Sequence, residues 1–177
     1  SAYLDETFRE GAISFNRKRY VGLNLRYNQY EGTFEFETDD GIRFFDPEVI
    51  LVDTVWMAGD TYLYILYQSG KARKRSFMKL INYGATRVLY HHQVLLMDPE
   101  PAKGYEEARP ARFEQRPETL FVQLPGQPAM EFRGKKSVEE IFPDDHQVLA
   151  EYIKSNRLKL KRVEDVTKLC RYFDSLR

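Results

Sequence analysis

Three histidines, one cysteine and four pairs of identical adjacent carboxylates are residues of this chain whose types could do chemistry. His91-His92 is the only histidine pair. A metal site needs ligands converging on one point, and adjacent strand residues point to opposite faces. His146 is remote in sequence, at the start of a helical stretch. All three are therefore expected to be structural or surface histidines, with no metal and no acid–base role. A nucleophilic cysteine needs a lowered pKa, from a helix amino-terminus or a neighbouring base. Cys170 falls on the apolar stripe of the last helix, near its carboxy-terminal end, where the dipole disfavours a thiolate. It reads as core. Paired carboxylates occur at Asp39-Asp40, Glu106-Glu107, Glu139-Glu140 and Asp144-Asp145. Glycosidase-type catalysis holds two carboxyls a set distance apart across a cleft. These pairs fall instead in a turn, a loop and helix starts, where capping and solvation account for them. The sequence carries no glycine-rich phosphate loop, Ser-centred elbow, His-Glu-x-x-His helix or calcium loop. No catalytic residue, metal or cofactor is expected, and the chain leans away from an enzyme.

Charge and composition narrow the classes further. Of 177 residues, 42% are hydrophobic and 31% charged, with both signs interspersed and a formal net charge of zero. That is a globular composition, long enough for a sizeable core. A dedicated nucleic-acid binder would show a basic excess, so no nucleic-acid partner is expected. Two basic clusters stand out: Lys71, Arg73, Lys74 and Arg75, and then Lys154, Arg157, Lys159, Lys161 and Arg162. Either could meet a phosphate-bearing surface, but solvated turns and a helix carboxy-terminus that favours cations explain them more simply. No apolar stretch approaches the roughly 20 residues of a membrane-spanning helix. With a single cysteine there is no internal disulfide.

The elements that must position these residues show a change of hydrophobic period near Gly134. Before it, apolar residues mostly recur every second position; after it, every third or fourth. Residues 1–11 read as an extended arm, and 12–15 as a first strand turned by Asn16-Arg17-Lys18. In 20–27, Val21, Leu23, Leu25 and Tyr27 are expected on one face. Thr33 to Glu37 alternates strictly, and Asp39-Asp40-Gly41 leads into Ile42 to Phe45. That is a hairpin signal, and it predicts a core face shared by Phe34, Phe36, Ile42 and Phe44. Further strands are expected over 49–56, 61–68, 75–82 and 86–97. Residues 98–117 form a Pro-rich connection, either a functional loop or a strap over the sheet, with Tyr105 and Phe113 as anchors, and a last hairpin spans 119–133. In the tail, Ser137 to Glu140 matches a capping box and Pro143 stops the turn. A helix then carries Val148, Leu149, Tyr152 and Ile153, with Asn156 as a left-handed stop. The last helix buries Val166, Leu169, Cys170 and Phe173.

The fold expected is mainly β (α+β), with residues 1–134 an antiparallel meander of about eight to ten strands. The sheet can curl into a barrel or half-barrel. Residues 135–177 form a helical segment packed on its phenylalanine- and tyrosine-bearing side, within a single domain. Tyr3-Leu4-Asp5, Leu25 to Tyr30 and Phe34-Glu35-Phe36 form one set of segments. Lys135-Lys136-Ser137, Ile141-Phe142-Pro143, Tyr152-Ile153-Lys154 and Leu158 to Lys161 form another. Through these the whole chain resembles a family of exported envelope proteins of Bacteroidetes-type bacteria, which has no established catalytic residues. The resemblance implies a periplasmic or outer-membrane-associated protein whose signal peptide has been removed. The function expected is a non-enzymatic binding module for an envelope protein partner, with exposed Tyr and Arg as anchors. The alternative is a carrier of a hydrophobic ligand such as lipid or lipoprotein, held by a curled sheet lined by Phe34, Phe36, Phe44, Tyr62, Tyr64 and Leu66.

Overall fold

The computed structural model describes every residue except 47, 48, 50, 51, 103, 105 and 106. The expected start of a strand at 49–51, the anchor Tyr105 and the acid Glu106 therefore lie wholly or partly outside the described residues. The chain is mainly β with its helices at the carboxy-terminal end, and it divides into two compact units. Unit 1 comprises Ser1–Thr61 and His92–Glu118; unit 2 comprises Tyr62–His91 and Thr119–Arg177.

Unit 1 holds β1 (Arg9–Phe15), β2 (Lys18–Asn28), β3 (Thr33–Thr38), β4 (Gly41–Phe44) and β5 (Val52–Met57), in the order β5-β1-β2-β3-β4. Each neighbouring pair is antiparallel. Asn16 and Arg17 both take positive φ, at 50° and 61°, which is the twist a two-residue hairpin turn needs. Two face assignments differ from the alternation in the sequence. Gly22, at φ 71°, sits where the β1–β2 register slips, so it acts as a bulge. Leu25 and Tyr27 stay buried while Val21 is turned to solvent. In the β3–β4 hairpin Thr38 pairs with Gly41, leaving Asp39 and Asp40 as the loop. With a two-residue loop, even-numbered residues face odd-numbered ones. Glu35 and Glu37 therefore oppose Phe44 and Ile42, and both apolar side chains are exposed. Phe45 takes the core place instead, stacked on Phe36 at 4.5 Å.

Where it is described, the Pro-rich segment pairs antiparallel with Val94–Met97 and with itself rather than lying as a strap. The expected strand 86–97 breaks at His92 and Gln93 into β8 (Arg87–His91), in unit 2, and β9 (Val94–Met97), in unit 1. β9 pairs antiparallel with β10 (Arg112–Gln115), and Glu100 and Arg109 exchange backbone hydrogen bonds of 2.8 and 2.9 Å beyond it.

Unit 2 contains most of β6 (Asp60–Ser69), then β7 (Ala72–Leu80), β8, β11 (Thr119–Gln123) and β12 (Met130–Glu131), in the order β12-β11-β8-β7-β6. The two ends of this sheet meet. Gln68 N–H donates to the Ala129 carbonyl and Ala129 N–H to the Leu66 carbonyl, each at 2.8 Å. Tyr67 and Phe121 belong to strands three positions apart, about 14 Å in a flat sheet. Their rings are nevertheless 5.4 Å apart, so this face is concave. The sheet is curled, and one bridge rather than a full ladder joins its ends. Ile65, Tyr67, Met78, Leu89, Phe121 and Ala129 fill the concave side.

The helices α1 (Lys135–Ile141), α2 (His146–Ser155) and α3 (Val163–Ser175) cover the opposite side. There Val88, Val122 and Phe132 pack with Val138, Leu149, Ile153, Val166, Leu169 and Phe173. The helices thus seal an aliphatic patch of β8 and β11. The aromatic cluster of the unit lies on the other face. Two capping expectations also shift. Helix α1 starts at Gly134, whose φ of 123° suits glycine, so Ser137 lies inside the helix and its hydroxyl accepts from Arg133 N–H at 2.9 Å. At the end of α2 the left-handed residue is Arg157, at φ 52°, and not Asn156, at φ −94°.

Candidate binding surfaces

The residues that could do chemistry are held in structural roles and are not brought together. His91 is buried in unit 2, its Nε2 3.0 Å from the Ser76 hydroxyl and its ring edge-on to Tyr67 and Phe121. His92 belongs to unit 1, with Nδ1 3.2 Å from Glu118. His146 Nδ1 lies 2.7 Å from the Pro143 carbonyl. Cys170 is fully buried on α3, where burial and, second to it, nearby Asp174 push its thiol up to about 12. A thiol that stays protonated at neutral pH is no nucleophile. Asp39 and Asp40 form an exposed turn. Glu140 pairs with Lys136 at 3.7 Å and Asp145 with Arg177 at 3.1 Å. Among the described residues no group of three or more His, Cys, Asp and Glu gathers as a metal site would require.

A part-buried ionic cluster lies in unit 1. Arg26 Nε and Nη2 both donate to Glu35 Oε2, Asn28 donates to Glu35 at 3.0 Å, and Tyr3 OH reaches it at 3.3 Å. Burial pushes the Glu35 carboxyl up, but these bonds outweigh it and hold the carboxyl below its ordinary value. The guanidinium is stacked 3.8 Å from the Tyr3 ring and 4.3 Å from that of Phe8, which clamps the amino-terminal arm on the sheet.

Two surfaces have the make-up of binding sites. Ten of the twelve most exposed large apolar side chains among the described residues lie in unit 1; Tyr83 and Leu176 are the two in unit 2. Part of this exposed surface is continuous. Phe113 on β10 lies directly opposite Leu96 on β9, and its ring meets that of Tyr30, in the β2–β3 turn, edge-on at 5.3 Å. All three side chains are exposed. Arg112, the neighbour of Phe113 in β10, is 3.7 Å from Glu100 and points to the other face of the ribbon. Sequence reasoning singled out Phe113 only as an anchor of the strap. Its partners come from a ribbon pairing and from a turn far away in the chain.

The second surface is a groove of ≈ 460 Å³ in unit 2, between α1 and α2. Val138, Ala150, Ile153 and Leu158 supply apolar atoms, and Lys135, Lys154 and Arg157 stand at its lip. Lys154 and Arg157 belong to the second basic cluster of the sequence. The first cluster, Lys71 to Arg75, is exposed around the β6–β7 turn, and Arg75 lies 5.9 Å from the Tyr64 ring. The residues expected to line a cavity are divided: Phe34, Phe36 and Phe44 lie in unit 1, Tyr62, Tyr64 and Leu66 in unit 2. Phe34 packs on Tyr27 at 4.8 Å and Tyr64 on Phe77 at 5.0 Å. Among the described residues no helix is long and apolar enough to cross a membrane. Comparison with models of known families, with curated proteins and with solved structures finds no match.

Proposed function

We propose that this chain is a non-enzymatic binding module of the cell envelope, exported to the periplasm or outer membrane, which docks a protein partner on unit 1. Its export and its kinship with Bacteroidetes-type envelope proteins rest on the resemblance carried by the segments from Tyr3 to Phe36 and from Lys135 to Lys161. The docking reading is carried by one observation, the continuous exposed patch of Tyr30, Phe113 and Leu96. Exposed aromatic residues grouped with apolar ones are the usual anchors of protein interfaces. The non-enzymatic reading is supported by where the reactive groups are engaged: Cys170 in the core, His91 on Ser76, and His146 on a backbone carbonyl. Carriage of a hydrophobic ligand by the strands draws less support. Phe34, Phe36 and Tyr64 each pack on another ring of the protein, and Phe44 stands in solvent.

Quantitative cross-linking in the source organism tests this reading, comparing the native chain with Tyr30→Ala and Phe113→Glu. An anchor residue at an interface contributes about 2 kcal/mol or more, so each variant should lose most of a specific complex while its thermal unfolding is unchanged. Recovery of the same complex by both variants would remove the patch from the interface.

A further inference from the structure

The groove between α1 and α2 joins an apolar floor to a cationic lip, the combination that an anionic amphiphile requires. Val138 and Ile153 are buried at its base, while Ala150 is exposed beside them and Leu158 half-buried. Its ≈ 460 Å³ lies within the range of about 300–1,000 Å³ typical of small-molecule sites, which are mainly apolar with a few placed polar groups. Lys135, Lys154 and Arg157 have no carboxylate partner among the described residues, whereas Lys136 and Lys168 pair with Glu140 and Asp165 at 3.7 and 3.3 Å. Glu139 is the single acid of the lining, so positive charge prevails at the lip. A cation in the last turn of α2 is explained by the helix dipole, and that covers Lys154. It does not cover Lys135, which belongs to another helix. For Arg157, which closes α2, the dipole favours the charge but does not account for an arginine in a left-handed backbone conformation that glycine adopts without strain.

The geometry points to a site for a single-chain anionic amphiphile, a medium-chain fatty acid. Its alkyl chain lies on Val138, Ala150, Ile153 and Leu158, and its carboxylate meets Lys154 and Arg157. Helix α2 has ten residues, about 15 Å, which sets the length of chain that can lie along it. Arginine offers a carboxylate two parallel donors, and lysine adds a point charge. This inference is independent of the docking patch, which lies in the other unit.

Calorimetric titration of the full chain with dodecanoate, octanoate, dodecyltrimethylammonium and inorganic phosphate tests it, each amphiphile kept below its micellar concentration. Dodecanoate should saturate one site, and affinity should rise about two- to fourfold for each methylene added over octanoate. The cationic amphiphile should bind about tenfold or more weakly than dodecanoate, and phosphate alone should give no heat. Lys154→Glu combined with Arg157→Glu, both at exposed positions, should weaken dodecanoate by about tenfold or more. Ala150→Trp fills the groove from an exposed position and should abolish binding with little change in thermal unfolding. Absence of saturable dodecanoate binding, equal affinity for the cationic amphiphile, or unchanged affinity in the charge-reversed variant would each overturn the inference. Binding to anionic phospholipid vesicles that dodecanoate fails to displace would also overturn it, and assign the lip to a membrane surface.

Discussion

Arg26 and Arg157 place the same side chain under opposite constraints. The guanidinium of Arg26 lies between two rings and donates to Glu35, so stacking, ion pair and hydrogen bonds all act on one group. Tyr3, Arg26, Asn28 and Glu35 meet there, and together they clamp the amino-terminal arm on the sheet. Arg157 is held by no such network. Leu158 N–H donates to the Ile153 carbonyl at 3.0 Å and Arg157 N–H to that of Lys154 at 3.2 Å, so Arg157 occupies the left-handed position that closes a helix. For a residue with a Cβ this conformation costs about 1–2 kcal/mol. Glycine removes that strain but gives back about 0.5–1 kcal/mol through its freer unfolded chain. Arg157→Gly should thus stabilise the protein by about 0.5–1 kcal/mol in urea denaturation while weakening dodecanoate binding. A variant that loses stability would show that the arginine side chain holds the helix end by contacts rather than straining it.

At the scale of elements, the β3–β4 hairpin shows how one turn decides the fate of several phenylalanines. Its loop of Asp39 and Asp40 puts Phe45 in the core at 5% exposure and leaves Phe44 at 67%. Phe45→Ala should cost about 3–5 kcal/mol, as large core truncations do. Phe44→Ala should stay within about 0.5 kcal/mol, as surface changes do. Urea denaturation of the two variants separates this register from its one-residue neighbour, in which the order of costs is reversed. Here lies the limit of what could be read in the chain. Alternation identified the strands, Asp-Gly the hairpin, and the three-to-four period the tail with Val166, Leu169, Cys170 and Phe173 buried. Alternation carries no phase across a bulge or a turn, so Gly22 exposed Val21 and the Asp39-Asp40 loop exposed Ile42 and Phe44. The patch was less legible still. Phe113 meets Leu96 only because β9 and β10 pair, and prolines conceal pairing in a sequence. For the groove, the cations were visible as a cluster, but its floor needs α1 and α2 side by side.

At the scale of the whole molecule, the titrating groups divide into two sets that shield the fold at opposite ends of the pH range. With 27 basic and 27 acidic residues the formal net charge at neutral pH is zero, so general repulsion contributes little there and individual groups set the limits. On the acid side, Glu35 in unit 1 and Asp165 in unit 2 are both held below their ordinary values. For Asp165 the main cause is the Lys159 N–H, at 2.9 Å. A depressed folded pKa contributes stability above the unfolded value of about 4, and that contribution is lost as pH falls through the folded value. On the alkaline side, burial raises both Cys170, to about 12, and Tyr67. Unfolding frees these groups to ionise, so their contribution is complete below the unfolded cysteine value of about 8.5 and is lost as pH climbs towards the folded ones. Together these groups should therefore make stability fall as pH drops below about 4 and as it climbs above about 8.5. Urea denaturation from acid to alkaline pH checks this, with Glu35→Gln expected to flatten the acid limb and Cys170→Ala the alkaline limb. Because each substitution also shifts overall stability, the slope against pH is the decisive readout. An alkaline slope unaltered in Cys170→Ala would mean that the thiol ionises as readily in the folded protein as in the unfolded chain, which is incompatible with its place in the α3 core.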